Sequence, residues 1–217
     1  MKGVFNDRPA LPKYKTTWDV GTVLSYLKGI EDISLMQLSC RLCILFLLLS
    51  AQRCQTLHLV QIDDILLSDT SLIIHPNHVL KQTRPGSHLE PITFQSYDKD
   101  KKLCIVYTME QYLDRTKHLR QGQNLIISTM RPFKAASKNT IGRWVKLVLS
   151  KAGVDRCFTT HSTRSAATSM AKLKGVPLQS IMRSAGWSNA KTFAKFYDKP
   201  LDTEKQSIQS AILGTVE

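Results

Sequence analysis

Acidic side chains are scarce in this 217-residue sequence: 17 Asp and Glu against 30 Lys and Arg leave a formal charge of +13. A surplus of that size attracts polyanions by counterion release, so nucleic acid is the first partner to consider, with a plain solvated basic surface as the alternative. Cysteine is sparse and odd in number, five residues from Cys40 to Cys157, which argues against a disulfide framework and fits a reducing compartment. Cys40 and Cys43 form a lone C-x-x-C in an apolar run, with no second pair to complete a zinc site, so core packing is expected. Long hydrophobic runs are missing. The most apolar stretch, Cys43 to Leu49, is bounded by Arg41 and Gln52, far short of the ~20 residues a membrane span needs. The N-terminal stretch lacks the charged-then-apolar layout of a signal peptide, so an intracellular protein is expected. Also missing are a Walker loop, a convincing carboxylate pair, internal repeats and low-complexity segments, which leaves no signal for a nucleotide or metal cofactor. The length suits one core with a short appendage.

What is present reads as a mainly helical α+β chain. Residues 1–16, with Pro9, Pro12 and four positive side chains, read as an irregular lead-in or linker. Thr17 is the expected N-cap of a helix carrying Trp18, Val23, Leu24 and Leu27 and closed by Gly29. Ser34, with Gln37 three residues on, forms a candidate capping box for the long apolar helix through Leu49. Short apolar runs then follow: Ile65 to Leu67, Leu72 to Ile74, Val79 with Leu80, and Ile92 to Phe94. They predict a small antiparallel sheet of about three strands. Asp63 and Asp64 read as a turn or strand edge, and His75 and His78 as turn residues. Helical spacing returns at Leu103–Leu113 and at Ile141–Leu149, where Gly153 supplies a stop, with a brief strand at Leu125–Ile127. Further helices are expected over Ser162–Lys174, Pro177–Ser184, Ser188–Tyr197 and from Thr203.

The chemistry lies between Thr160 and Pro200. His161 and Arg164 stand three apart at a helix start, a spacing that aims both at one point beside free backbone amides, where an anion is favoured. Alone, H-x-x-R is equally a helix-capping histidine next to a surface arginine. Gly186-Trp187 is followed ten residues later by Tyr197, in a helix that puts Phe193 and Tyr197 on one face. H-x-x-R, then G-W, then a terminal tyrosine resembles the C-terminal signature of tyrosine recombinases. The wording H-S-T-R, G-V-P-L, W-S-N and T-F-A-K-F-Y, with P-K-Y-K-T-T-W-D-V and L-L-L-S-A-Q-R upstream, is most similar to recombinases of DIRS-like and Ngaro-like retrotransposons. The resemblance covers residues 9–200.

It implies a tyrosine recombinase catalytic domain over residues 17–200, with a tail helix at 201–217 that docks on a neighbouring subunit or packs on its own. It places the family's upstream arginine at Arg53, in S-A-Q-R-C-Q-T-L. Many relatives carry an acid three positions later that orients this arginine; here Thr56 stands there. It assigns the family's hairpin lysine to Lys81, just before T-R-P-G, with Arg84 as the nearby competitor. By resemblance, Tyr197 attacks a DNA phosphodiester, and Arg53 and Arg164 stabilise the five-coordinate phosphorus with forked, always-charged donors. His161 takes the phenol's proton, Lys81 protonates the departing 5′ oxygen, and Trp187 donates its indole N–H where many relatives have histidine. A 3′-phosphotyrosyl link stores the bond energy, so neither ATP nor a metal is required.

Lys134, Lys138, Arg143, Lys146, Lys172, Lys174, Arg183, Lys191 and Lys195 are candidates to hold the duplex, alongside Arg84. The expected partners are double-stranded DNA and further copies in a tetrameric synapse. A core-binding domain of the kind relatives carry upstream is not evident, and a eukaryotic mobile element would place the protein in the nucleus. The alternatives are a non-catalytic domesticated DNA-binding module, a type IB topoisomerase-like enzyme, and a basic helical protein that binds protein partners.

Overall fold

The computed structural model describes residues 12–31, 33–76 and 90–202. Lys81, Arg84, His78, the Val79–Leu80 run and the expected tail helix lie outside them. Helix α1 spans Val20–Lys28. Its cap is Asp19, which accepts from the Gly21 N–H, and not Thr17. Thr17 is engaged elsewhere, its main chain pairing with Leu201, which holds it extended.

Helix α2 spans Leu35–Ser50 and starts at the expected capping box, Ser34 to Gln37 and back. It is apolar nearly all round and forms the central post, packing against α4 (Ile105–Thr116), α5 (Lys138–Lys151) and α6 (Ser162–Leu173). Leu42, Leu45, Phe46 and Leu47 are sealed from solvent, each worth about 1.5–3 kcal/mol of burial, and Leu49 stands out at 51% exposed. Cys40 and Cys43 are buried there as free thiols. Arg41 is buried too, its guanidinium donating to the carbonyls of Leu27 and Ile30 near the end of α1. Among the described residues no helix is long and apolar enough to cross a membrane.

A short helix, α3 (Cys54–Leu59), follows α2 directly, so Arg53 opens a new helix rather than ending the long one. The break falls at Ala51, whose φ of 53° is left-handed. A single 3-10 turn (Ile62–Asp64) comes next, with the Asp64 carboxylate accepting from the Gln61 N–H. The antiparallel sheet runs β1 (Ile65–Leu67), β2 (Ser71–Ile74), β3 (Ile92–Gln95) in that order. Period-2 alternation buries Leu72, Ile74, Ile92 and Phe94, and Phe94 meets Phe46 of α2 at 5.9 Å. Leu125–Ile127 is buried but forms only isolated bridges beside it, Gln61 to Asn124 and Ile127 to Ala135, not a strand. Gly153 and Gly175 follow the ends of α5 and α6 with φ of 82° and 79°, the positive values that only glycine adopts freely. The last helices among the described residues are α7 (Leu178–Ala185) and α8 (Ala190–Phe196), the latter capped by Asn189.

Candidate active site

Four hydrogen bonds tie the end of α2 to the end of α7. Ser184 Oγ donates to Ser50 O at 3.0 Å, and Gln52 Nε2 donates to Ser184 O at 2.6 Å. Arg164, on the first turn of α6, reaches between them: Nη1 donates to Ala51 O at 2.9 Å and Nη2 donates to Ala185 O. Its guanidinium carbon lies 4.4 Å from the Trp187 ring centre and 5.6 Å from that of Tyr197. Arg164 is therefore not a surface arginine; it is 1% exposed. Burial first, then the neighbouring Arg53 charge, push its guanidinium down to about 9, while Tyr197 acts in the opposite sense. It remains charged at neutral pH, and its Nε and the Trp187 Nε1 are buried N–H donors with no hydrogen-bond partner among the described residues.

Tyr197 ends α8 and stacks on Trp187 at 4.4 Å between ring centres, with Phe193 on Trp187 at 5.6 Å. Phe193 and Tyr197 thus share a face, as their spacing predicts. The Tyr197 main chain is held by one stripe of α6: Ser165 Oγ and Ser169 Oγ both donate to its carbonyl, at 3.0 and 2.7 Å. Ser169 Oγ also accepts from the Lys199 N–H, and Lys172 Nζ meets Asp198 at 2.5 Å. The phenol ring is half-buried against the arginine it is expected to work with.

A groove of about 580 Å³ is lined by Arg53, His161 and Arg164 together with Lys138, Arg143 and Lys146 of α5; Trp187 and Tyr197 touch it only through Arg164 and are not among its lining residues. None of its described lining residues is acidic. His161 is the exposed N-cap residue of α6, so the H-x-x-R pair diverges: histidine at the mouth, arginine in the floor. Arg53 is half-exposed as the N-cap of α3. Thr56, at the usually acidic position, is buried and donates to Gln52 Oε1 at 3.2 Å. Gln52 was not singled out by sequence, although it adjoins Arg53; it braces the turn that presents that arginine. Cys54 also lines the groove, its thiol pushed up to about 11 by burial.

The other basic candidates sort by place. Lys134 is exposed on the segment bridging to Ile127. Lys172 is turned away, with Asp198 and the Phe193 ring, in a separate hollow with Ser169 and Lys199. Arg183 faces Glu90 at 3.6 Å, both exposed, and Lys174, Lys191 and Lys195 are exposed. Among the described residues no group of His, Cys, Asp or Glu is arranged to hold a metal ion.

The family model described as the phage integrase family matches residues 23–204. Comparison with curated proteins gives no match. Among solved structures, the XerH site-specific recombinase bound to palindromic difH substrate, a post-cleavage complex, is similar with a TM-score of 0.65 at 16% identity. That match covers 94% of this chain and 54% of that one. The lambda integrase(75–356) dimer bound to a COC′ core site gives 0.56 at 18% identity, covering 96% and 68%. The lambda integrase tetramer bound to a Holliday junction gives 0.52 at 18%, covering 89% and 51%. The chain thus spans about half the length of the XerH recombinase. At these identities the likeness is one of fold, the tyrosine recombinase catalytic-domain fold.

Proposed function

The chain belongs to the phage integrase family of tyrosine recombinases, and on that premise we propose that it cuts and rejoins duplex DNA through a 3′-phosphotyrosyl intermediate on Tyr197. One observation carries this reading: Arg53, His161 and Arg164 line a single groove whose described lining residues include no acid, and the Tyr197 ring lies against the Arg164 guanidinium. A phosphodiester fits there because its non-bridging oxygens can accept from the guanidinium N–H groups of Arg53 and Arg164 that line the groove.

In the proposed step the Tyr197 oxygen bonds to phosphorus and the phosphorus bond to the 5′ oxygen breaks. His161 takes the phenol proton, directly or through a water molecule, and Lys81 gives a proton to the leaving oxygen. Arg53 and Arg164 hold the charge that builds on the non-bridging oxygens. A phenol attacks phosphorus as its proton leaves, so the step needs a base beside the hydroxyl. Lys81 takes this role from the resemblance, which sets it just before T-R-P-G. Lys138, Arg143 and Lys146 grip the flanking phosphates. Four copies on DNA, by analogy with the lambda integrase tetramer bound to a Holliday junction, would exchange strands. The wording of the motifs favours a DIRS-like or Ngaro-like mobile element and, with it, a nuclear site of action.

The test is incubation with a pool of nicked duplexes, randomised in sequence, that trap the intermediate. A covalent adduct that survives denaturant is expected, and Tyr197→Phe, which keeps the stack on Trp187, should abolish it. Binding with no adduct would identify a non-catalytic DNA-binding module. Relaxation of supercoils with no partner exchange would identify a topoisomerase.

A further inference from the structure

The motif P-K-Y-K-T-T-W-D-V has no part in the chemistry above, yet the structure seats it on both halves of the site. At one end, the Tyr14 hydroxyl shares a hydrogen bond with Thr159 Oγ1 at 2.8 Å and accepts from the Thr159 N–H at 3.2 Å, its ring resting on Phe158. The indole N–H of Trp18, a residue 4% exposed, donates to Ser162 Oγ at 2.8 Å. Thr159 and Ser162 bracket His161 in the turn that opens α6. At the other end, the Thr17 N–H donates to Pro200 O at 2.8 Å, and the Asp202 N–H donates to Thr17 O at 2.7 Å. Thr16 Oγ1 adds a bond to the Asp202 carboxylate at 3.1 Å. These residues follow Tyr197 by three to five positions.

Helix α8 packs on Trp187 through Phe193 and Tyr197. It is seven residues long and fully buries only Phe193. Its exit is held by the Ser165 and Ser169 hydroxyls on one side and by Thr17 on the other. We propose that Tyr14, Thr17 and Trp18 form a strap of positioning residues, which fixes the segment leaving Tyr197 against the N-terminal turn of α6. The strap thereby sets the register of the nucleophile against His161 and Arg164. None of the three lines the groove. Its effect belongs in the rate of cleavage and not in the affinity for DNA, and in that respect it rests on the function proposed above.

Two variants break the strap at different ends. Trp18→Phe removes the indole donor and keeps an aromatic ring; Thr17→Pro removes the N–H that bonds Pro200. Each is expected to lower the single-turnover rate of adduct formation about tenfold, the loss of one well-placed hydrogen bond, with the Kd for DNA within about twofold of wild type. Ser162→Ala should match Trp18→Phe, and the two together should be no worse than either. Amide exchange should quicken at residues 159–164 and 198–202 in both strap variants. Rates equal to wild type, or rate and affinity falling in parallel, would overturn the proposal. If wild type itself forms no adduct, the recombinase reading fails and exchange decides the strap alone: unchanged protection at both segments would refute it, and faster exchange would uphold it.

Discussion

Replacing Arg164 separates architecture from chemistry at this site. From sequence, the residue is expected to act at the transition state; in the structure it also bonds Ala51 O and Ala185 O and stacks on Trp187. A lysine ammonium is a compact point charge that reaches one of those carbonyls but not both, and it loses the flat face that meets the indole. An orphaned buried carbonyl costs about 1–3 kcal/mol and the lost cation–π contact about 0.5–2 kcal/mol, so Arg164→Lys should lower stability by about 2–4 kcal/mol. For a domain of this size that is a fall in Tm of roughly 5–12 °C. Urea denaturation should show the midpoint falling at unchanged m, the mark of lost stability without a changed denatured state. Arg164→Ala, which orphans both carbonyls, should be worse. A Lys variant within about 0.5 kcal/mol of wild type would refute the view that Arg164 fastens α2 to α7.

Arg53, half-exposed at the start of α3, offers the cleaner measure of transition-state work: Arg53→Ala should cut the single-turnover adduct rate about 100-fold or more while moving Tm by no more than about 3 °C. A parallel collapse of stability would recast it as structural. Binding measured against salt sorts the lysines: Lys138→Gln, Arg143→Gln and Lys146→Gln, all on the groove, should each reduce the log–log slope by about 0.9, whereas Lys172→Gln, at a residue already committed to Asp198, should leave it unchanged. Equal slopes for all four would remove the groove from the DNA path.

Local signals carried most of the fold. The Ser34 and Gln37 box, the glycines at 153 and 175, and the alternation in β2 and β3 are all written within a few residues, so the elements they bound were legible. The misses come from long-range bonds. Thr17 looks like a cap because two threonines precede Trp18, but its backbone is engaged with Pro200 and Asp202, a pairing that no local window contains. The end of α2 carries neither glycine nor proline, so the left-handed turn at Ala51 and the new helix behind it are invisible in sequence; the turn's carbonyl is held by Arg164, 113 residues away. In the site, Arg53, His161 and Arg164 line one groove. The H-x-x-R spacing gave no hint that the arginine would be sealed in the floor and the histidine left at the mouth, since that follows from which carbonyls lie within reach.

The same burial explains why a neutral residue at position 56 is compatible with the proposed chemistry. A carboxylate beside Arg53 and Arg164 would ease the cost of holding two guanidiniums close, but it would also cancel part of the field that draws a phosphate. Thr56 instead donates to Gln52, and Gln52 donates to Ser184 O, so the turn carrying Arg53 is braced by uncharged bonds. The charge on Arg164 is met by two carbonyl dipoles and the faces of Trp187 and Tyr197, which accept a cation without neutralising it. Rigidity at this site therefore comes from neutral acceptors and aromatic rings, and none of the groove's described lining residues is an acid that would offset its positive charge.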